Sequence, residues 1–345
     1  MKRYRMILPA LLGIVYMGSS AGETIVIKAL NYGTPPLKLP TYTGFMGNQL
    51  WVLMLPVYAW MLYSKKSYTV KYIPEYATMG LLTFAATILR NISVTLMPGS
   101  VFGLLINTSI VFNMFLSWLW LRKKFNMWHL FAAITCLSSG LTIGIAALLT
   151  EQEAESGVNY TVGIPSAIVA AFCVAFITVW QEHVQPTLDD LNLRLVEMII
   201  VSSIISALLI IIYGTFSKEI TSWSPSIEAA SSSNLGLVVG CSIALPLLKL
   251  FVRNSKYTII QKSNAFFFEF VQSSAALIGS FANILIFGEP WGPAYIAATL
   301  LMATSFALYV KAKLVAKKEA EKLPTVMPPP PPYLNPLKLE AVSWK

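Results

Sequence analysis

From Ile7 to Val310 the chain passes through one apolar stretch after another, each about as long as a bilayer's hydrocarbon core of about 30 Å requires of a helix. Lipid offers no partner to a backbone N–H or C=O, so such stretches can only be membrane helices. Charged residues make up 12% of the 345 residues, half of the roughly 25% usual in a soluble domain. The pattern therefore predicts an all-α membrane protein of ten transmembrane helices. They fall at about 7–30, 44–64, 73–95, 99–121, 128–150, 162–184, 191–214, 234–252, 257–287 and 293–316.

The net charge of +9 comes from short basic clusters between apolar runs, which points to a membrane surface and away from nucleic acid. With the N-terminus in the cytoplasm, one side collects Lys2, Arg3, Arg5, Lys65, Lys66, Lys71, Arg122, Lys123, Lys124, Arg194, Arg253, Lys256, Lys262 and a lysine-rich tail. The other side holds Lys28, Lys38 and Lys218 with the acidic loop Glu151, Glu153 and Glu155. Lysine and arginine bias of this kind sets topology, so both termini are expected in the cytoplasm. Lys2, Arg3 and Arg5 lead an apolar run too long for a signal peptide, which is read as the first span.

A weak internal repeat runs through the chain. Arg90-Asn91 precedes Trp128 by the same interval as Arg253-Asn254 precedes Trp291, and Thr95 and Thr258 fall in step. An odd number of spans per repeat places its copies at opposite faces. The expected plan is two inverted five-helix repeats, residues 1–150 and 151–316, as in many secondary transporters. Residues 317–345 are expected to form a disordered cytoplasmic tail, since five consecutive prolines, Pro328–Pro332, favour an extended polyproline helix.

Polar residues inside spans are costly in lipid and tend to face a protein interior or a water-filled path. In the ninth span Glu269, Gln272, Ser273, Ala276, Ser280 and Asn283 share one helix face. Tyr16, Ser19, Ser20 and Glu23 do the same in the first. Asn107 and Asn113 in the fourth span and Arg90 in the third complete the candidates. The substrate-binding set is therefore Tyr16, Ser20, Glu23, Arg90, Asn107, Asn113, Glu269, Gln272 and Ser273. Each has a structural alternative: Glu269 pairing with Lys262, Glu23 pairing with Lys28, Arg90 reaching for headgroups. Cys136, Cys173 and Cys241 lie in apolar runs and read as core. His129 and His183 stand too far apart for a metal pair, and no nucleophile or phosphate-loop motif is present. Neither an enzyme nor a cofactor is expected. The acidic residues on inner faces favour a cationic or nitrogenous solute.

Phe287-Gly288-Glu289-Pro290-Trp291, followed by an alanine-rich helix, resembles the turn before the last helix of the drug/metabolite transporter superfamily. Gly99 to Leu105, Phe112 to Ser117 and the basic turn Arg122-Lys123-Lys124-Phe125 resemble the fourth helix of that superfamily and its exit. The resemblance spans about residues 7–316. It implies an EamA-like or nucleotide-sugar-transporter-like fold and a solute carrier working by alternating access between the halves. Phe112-Asn113 and the surrounding leucines are similar to purine permeases. The run Asn113 to Lys124 and Tyr257-Thr258-Ile259 are similar to chloroquine-resistance-type transporters, which carry cysteines in the loop between helices seven and eight; the corresponding loop expected here, 215–233, has none.

The leading expectation is a secondary transporter or exchanger, possible as a homodimer, in the plasma membrane or an endomembrane such as vacuole, lysosome or Golgi. The alternative is a scaffold or sensor. Pro330, Pro331 and Tyr333 fit the Pro-Pro-x-Tyr pattern that WW domains grip, and a WW-domain ubiquitin ligase is the partner this implies. The topology is testable with epitope tags at both ends of the chain in sealed, oriented vesicles. Both tags should be cut by protease from the cytoplasmic side; a tag cut only from the opposite side overturns the orientation.

Overall fold

The computed structural model describes residues 4–32, 39–65, 72–150, 159–185, 191–288 and 292–322. These fold into α1 (Tyr4–Tyr32), α2 (Pro40–Gly47), α3 (Leu50–Lys65), α4 (Ile73–Leu96), α5 (Gly99–Leu105), α6 (Ser109–Leu119), α7 (Met127–Thr150), α8 (Tyr160–Val184), α9 (Leu191–Phe216), α10 (Ile220–Lys262), α11 (Ala265–Phe287) and α12 (Pro293–Lys322). Among the described residues nine helical segments are long and apolar enough to cross a membrane. The 29-residue α1, with Glu23 and Lys28 set in its apolar sequence, is a further helix of crossing length. The chain is a multi-pass membrane protein. Its outer surface is apolar: Ile14, Trp60, Leu141, Ile212, Val239 and Leu285 all stand exposed, as lipid contact requires.

Two spans are broken. The second divides into α2 and α3 at Asn48 and Gln49; Asn48 Nδ2 donates to Gly44 O at 2.8 Å. The fourth divides into α5 and α6 at a 3₁₀ turn, Ile106–Thr108. Such breaks free backbone groups and are tolerated in a membrane only inside protein or beside a cavity. Both breaks are buried here, with Asn48 and Asn107 at most 1% exposed.

The expected loop at 215–233 is helix instead. The 43-residue α10 bends at Asn234, whose φ of −155° and ψ of 74° are not helical, so a short arm precedes the crossing segment Asn234–Lys262. The arm is rich in serine and holds Pro225, which hides it from a search for apolar runs. It is helical because Trp223, Ile227 and Ala230 lie one turn apart and pack into the largest apolar cluster. Trp223 stacks edge-on against Tyr42, and its Nε1 donates to Thr41 Oγ1 at 3.1 Å.

Packing partners recur in a pattern. α1 lies against α10 and α11; α8 lies against α4 and against α5 and α6. α7 and α12 pack mainly on each other. Across that seam Ser139 Oγ donates to Ala298 O and Ser305 Oγ to Ala132 O, both at 2.6 Å. Ala132 and Ala298 are 166 residues apart, as are Ser139 and Ser305, three more than the offset of the Arg-Asn and Trp pairs. These four residues are therefore in a reciprocal, antiparallel arrangement, as a local two-fold axis across the helices produces.

Several basic residues lie deeper than sequence reading placed them. Arg253 and Lys256, assigned to a cytoplasmic connection, sit within α10, which continues to Lys262 before the chain turns at Ser263 and Asn264. Arg194 is 1% exposed and binds Glu197 at 2.7 Å. Lys28 is 4% exposed, and its Nζ donates to Met97 O at 3.2 Å. The basic-residue asymmetry is thus carried by fewer residues than the sequence suggested. The tail with Pro330, Pro331 and Tyr333, and Glu289 to Trp291, lie outside the described residues.

Close packing sets a testable limit at α4 and α9. A Cβ on Gly80 would stand 2.8 Å from Ile205 Cβ and 3.1 Å from Ser202 O, whereas one on Gly18 would meet nothing within 4 Å. Gly80→Ala should force the helices apart at a cost of about 1–3 kcal/mol. It should lower the thermal midpoint of the purified protein in detergent, while Gly18→Ala leaves the midpoint unchanged or raised.

Candidate functional site

Between the helices lie two adjoining pockets, taken as two lobes of one cavity because they share wall residues, with about 590 Å³ and about 770 Å³ of empty space, open solvent included. Tyr16, Arg90, Val174, Val252 and Gln272 line both lobes. α1, α4 and α5 contribute to the wall, and so do α8, α10 and α11. The smaller lobe is mostly apolar: small residues Gly99, Gly103, Ala275, Ala276 and Gly279 make room beside Phe102. The larger lobe is charged, bounded by Glu23, Arg90, Lys249, Arg253 and Lys256.

Glu23 organises that lobe. It is 2% exposed, and a carboxylate at such depth needs partners. Its Oε2 lies 3.1 Å from Arg90 Nη1, and its Oε1 3.7 Å from Lys249 Nζ. Arg90 Nη2 also donates to Thr24 Oγ1 at 3.0 Å, which fixes the guanidinium against α1. Lys249 crosses α2 where a side chain is missing: a Cβ on Gly47 would stand 2.8 Å from its Nζ. Arg253 reaches the break in the second span. Its Nη2 donates to Asn48 Oδ1 at 3.0 Å, and its Nη1 to Ser203 Oγ at 2.7 Å and Ser202 Oγ at 3.3 Å. Lys256 Nζ donates to Thr178 Oγ1 at 2.9 Å and stands over the Phe268 ring.

Of the residues singled out from sequence, Tyr16, Ser20, Glu23, Arg90 and Gln272 are on the cavity wall. Glu269, Ser273, Asn107 and Asn113 are not among the lining residues; each is at most 1% exposed. Glu269 has no ion pair with Lys262. It accepts from Ser109 Oγ at 2.7 Å and from Asn113 Nδ2 at 3.3 Å, so α11 is tied to the second part of the broken fourth span. Asn113 in turn accepts from Ser117 Oγ at 3.3 Å. Asn107 holds its amide buried in the 3₁₀ turn without a hydrogen-bond partner.

One chain of hydrogen bonds links the wall to the buried carboxylate. Tyr16 O–H donates to Gln272 Oε1 at 3.3 Å, Gln272 Nε2 to Ser109 Oγ at 3.4 Å, and Ser109 O–H to Glu269 Oε2. All three donate in the same sense, toward Glu269, so each bond polarises the next.

Lys249, Arg253 and Lys256 were not among the candidates. Read along the chain, Arg253 and Lys256 count as surface charges, and Lys249 is a single basic residue in an apolar run. Their spacing was the available signal: Lys249, Arg253 and Lys256 fall at successive turns of one helix face.

Breaking the Glu23 cluster should be costly. Glu23→Gln leaves Arg90 and Lys249 without their carboxylate and should destabilise the protein by about 3 kcal/mol. Glu269→Gln keeps an acceptor for Ser109 and should cost less than half as much. Thermal unfolding of the two purified variants compares them; equal losses would contradict this account of the cluster.

The comparisons agree with a membrane carrier. A solved crystal structure shares the fold with a TM-score of 0.56, at 16% identity, over 90% of this chain and 98% of that chain. No curated protein matches the sequence. A family model described as purine nucleobase transmembrane transport matches residues 8–319, every described helix but the two ends of the bundle's sequence included in full. The chain belongs to the purine nucleobase transmembrane transport family.

Proposed function

We propose that this protein carries a purine nucleobase or a close relative across the bilayer by alternating access, binding it in the central cavity. The observation that carries the reading is the cavity's joint construction: α1, α4 and α5 from the first part of the chain and α8, α10 and α11 from the second all line it, in a chain whose family moves purine nucleobases. A flat ring fits the apolar lobe beside Phe102, with Gln272 and the charged lobe offering polar contacts at its edge.

The inverted five-helix repeat is part of this proposal. It is supported by the exchange of packing partners between halves and by the reciprocal bonds of α7 and α12. Ser109 and Gln272, one repeat interval apart, meet directly beside the cavity. Rocking one repeat against the other would expose the site to each side in turn. On this reading the chain is a relative of the drug/metabolite transporters and both its termini lie in the cytoplasm.

Of the expected solute classes, cationic or nitrogenous, this reading keeps the nitrogenous and gives up the cationic expectation. That expectation counted Glu23 and Glu269 as free carboxylates and Arg253 and Lys256 as surface charges. Glu23 is engaged by two cations, and the cavity wall is basic. The sequence match leaves residues 320–345 outside its span, so it lends the scaffold reading no support.

Coupling to protons is assigned to Glu269, whose carboxylate answers the cavity through Ser109 and Gln272. Uptake of labelled purine by the purified protein in liposomes tests the reading. Wild type should accumulate purine faster with an inward proton gradient. Glu269→Gln should transport at least tenfold more slowly and lose the acceleration. A variant with wild-type rate and wild-type pH profile removes Glu269 from the cycle.

A further inference from the structure

The charged lobe holds four cationic side chains, Arg90, Lys249, Arg253 and Lys256, and one carboxylate, Glu23. Arginine presents five N–H donors and the lysine ammonium three, and neither accepts. Both oxygens of Glu23 already face cations. Among the described residues, Lys249 has only the ion pair to Glu23, at 3.7 Å too long for a hydrogen bond. Lys256 uses one donor on Thr178. Arg90 Nε is buried without a partner. The lobe thus has N–H donors to spare and little acceptor capacity. The hydroxyls of Tyr16, Thr83, Thr87 and Tyr257 can serve as either, and the Gln272 amide is engaged by Tyr16 at its oxygen and by Ser109 at its nitrogen, so these groups do not alter that balance. The second buried carboxylate, Glu269, stands behind the wall and is occupied by Ser109 and Asn113.

Purines differ at the edge such a lobe would meet. A 6-oxopurine offers two acceptors there, O6 and N7, which arginine or lysine matches with paired donors. A 6-aminopurine offers N7 and an amino donor, and an amide suits it better. An amino group turned toward surplus ammonium or guanidinium N–H leaves donors facing donors in a buried site.

Resting on the purine reading above, we propose that this cavity selects 6-oxopurines over 6-aminopurines through the donors of Lys249 and Lys256. Hypoxanthine and adenine, alike in size and differing at the 6-position, are the probes. Competition for labelled hypoxanthine uptake in proteoliposomes should favour unlabelled hypoxanthine over adenine by tenfold or more. Lys256→Gln, which swaps an all-donor group for an amide, should bring that ratio below threefold, and Lys256→Arg should keep it. Size-exclusion and thermal unfolding check that each variant folds; the wild-type ratio stands without them. Equal or better competition by adenine in wild type overturns the selectivity while leaving purine transport intact. A ratio unchanged in folded Lys249→Gln and Lys256→Gln overturns the assignment to these lysines. Failure of every purine to bind or enter with folded wild-type protein overturns both this proposal and the purine reading.

Discussion

Glu23 joins helices that are far apart in sequence. Its two oxygens face Arg90 of α4 and Lys249 of α10, while Glu23 itself belongs to α1. Isolated, each of these charges would be expensive inside a membrane protein. Grouped, they become a charged floor for the cavity, and the geometry of neighbouring elements follows from them. Gly47 leaves space for the Lys249 side chain, and Asn48, at the end of α2, accepts from Arg253. The break in the second span is therefore not a defect in an otherwise regular helix. It is where a polar side chain and freed backbone meet the charge cluster.

Much of the fold was legible because the bilayer imposes a simple rule. Apolar runs of span length must be helices, and this found each crossing segment to within a few residues, apart from the division between α10 and α11. That division was misplaced because Arg253 and Lys256 look like surface charges when read along the chain. Nothing local distinguishes a lysine in solvent from one aimed into a cavity. The difference lies in Thr178, Asn48 and Ser203, which come from other helices. The helical arm before Asn234 was missed for the opposite reason. Its serines suggest a loop, and only the partners of Trp223, Ile227 and Ala230 make it a helix.

The candidate site was legible in part for the same reasons. A shared helix face correctly grouped Tyr16, Ser20 and Glu23 as neighbours on α1, and all three line the cavity. The stripe on α11 divides. Gln272, Ala276 and Ser280 face the space, whereas Glu269 and Ser273 turn into the helix contact. Periodicity gives a direction around one helix but not what stands opposite. For Glu269 the opposite partners are Ser109 and Asn113, which convert a candidate wall residue into a tie between α11 and α6.

The seam between α7 and α12 has a consequence of its own. Each helix supplies one serine hydroxyl and one alanine carbonyl, and each receives what it supplies. A contact of that kind does not require two different surfaces. Two copies of one helix, running in opposite senses in the same membrane, could form it as readily as two helices of one polypeptide. The seam therefore has, within a single chain, the chemistry of an antiparallel homodimer of helices.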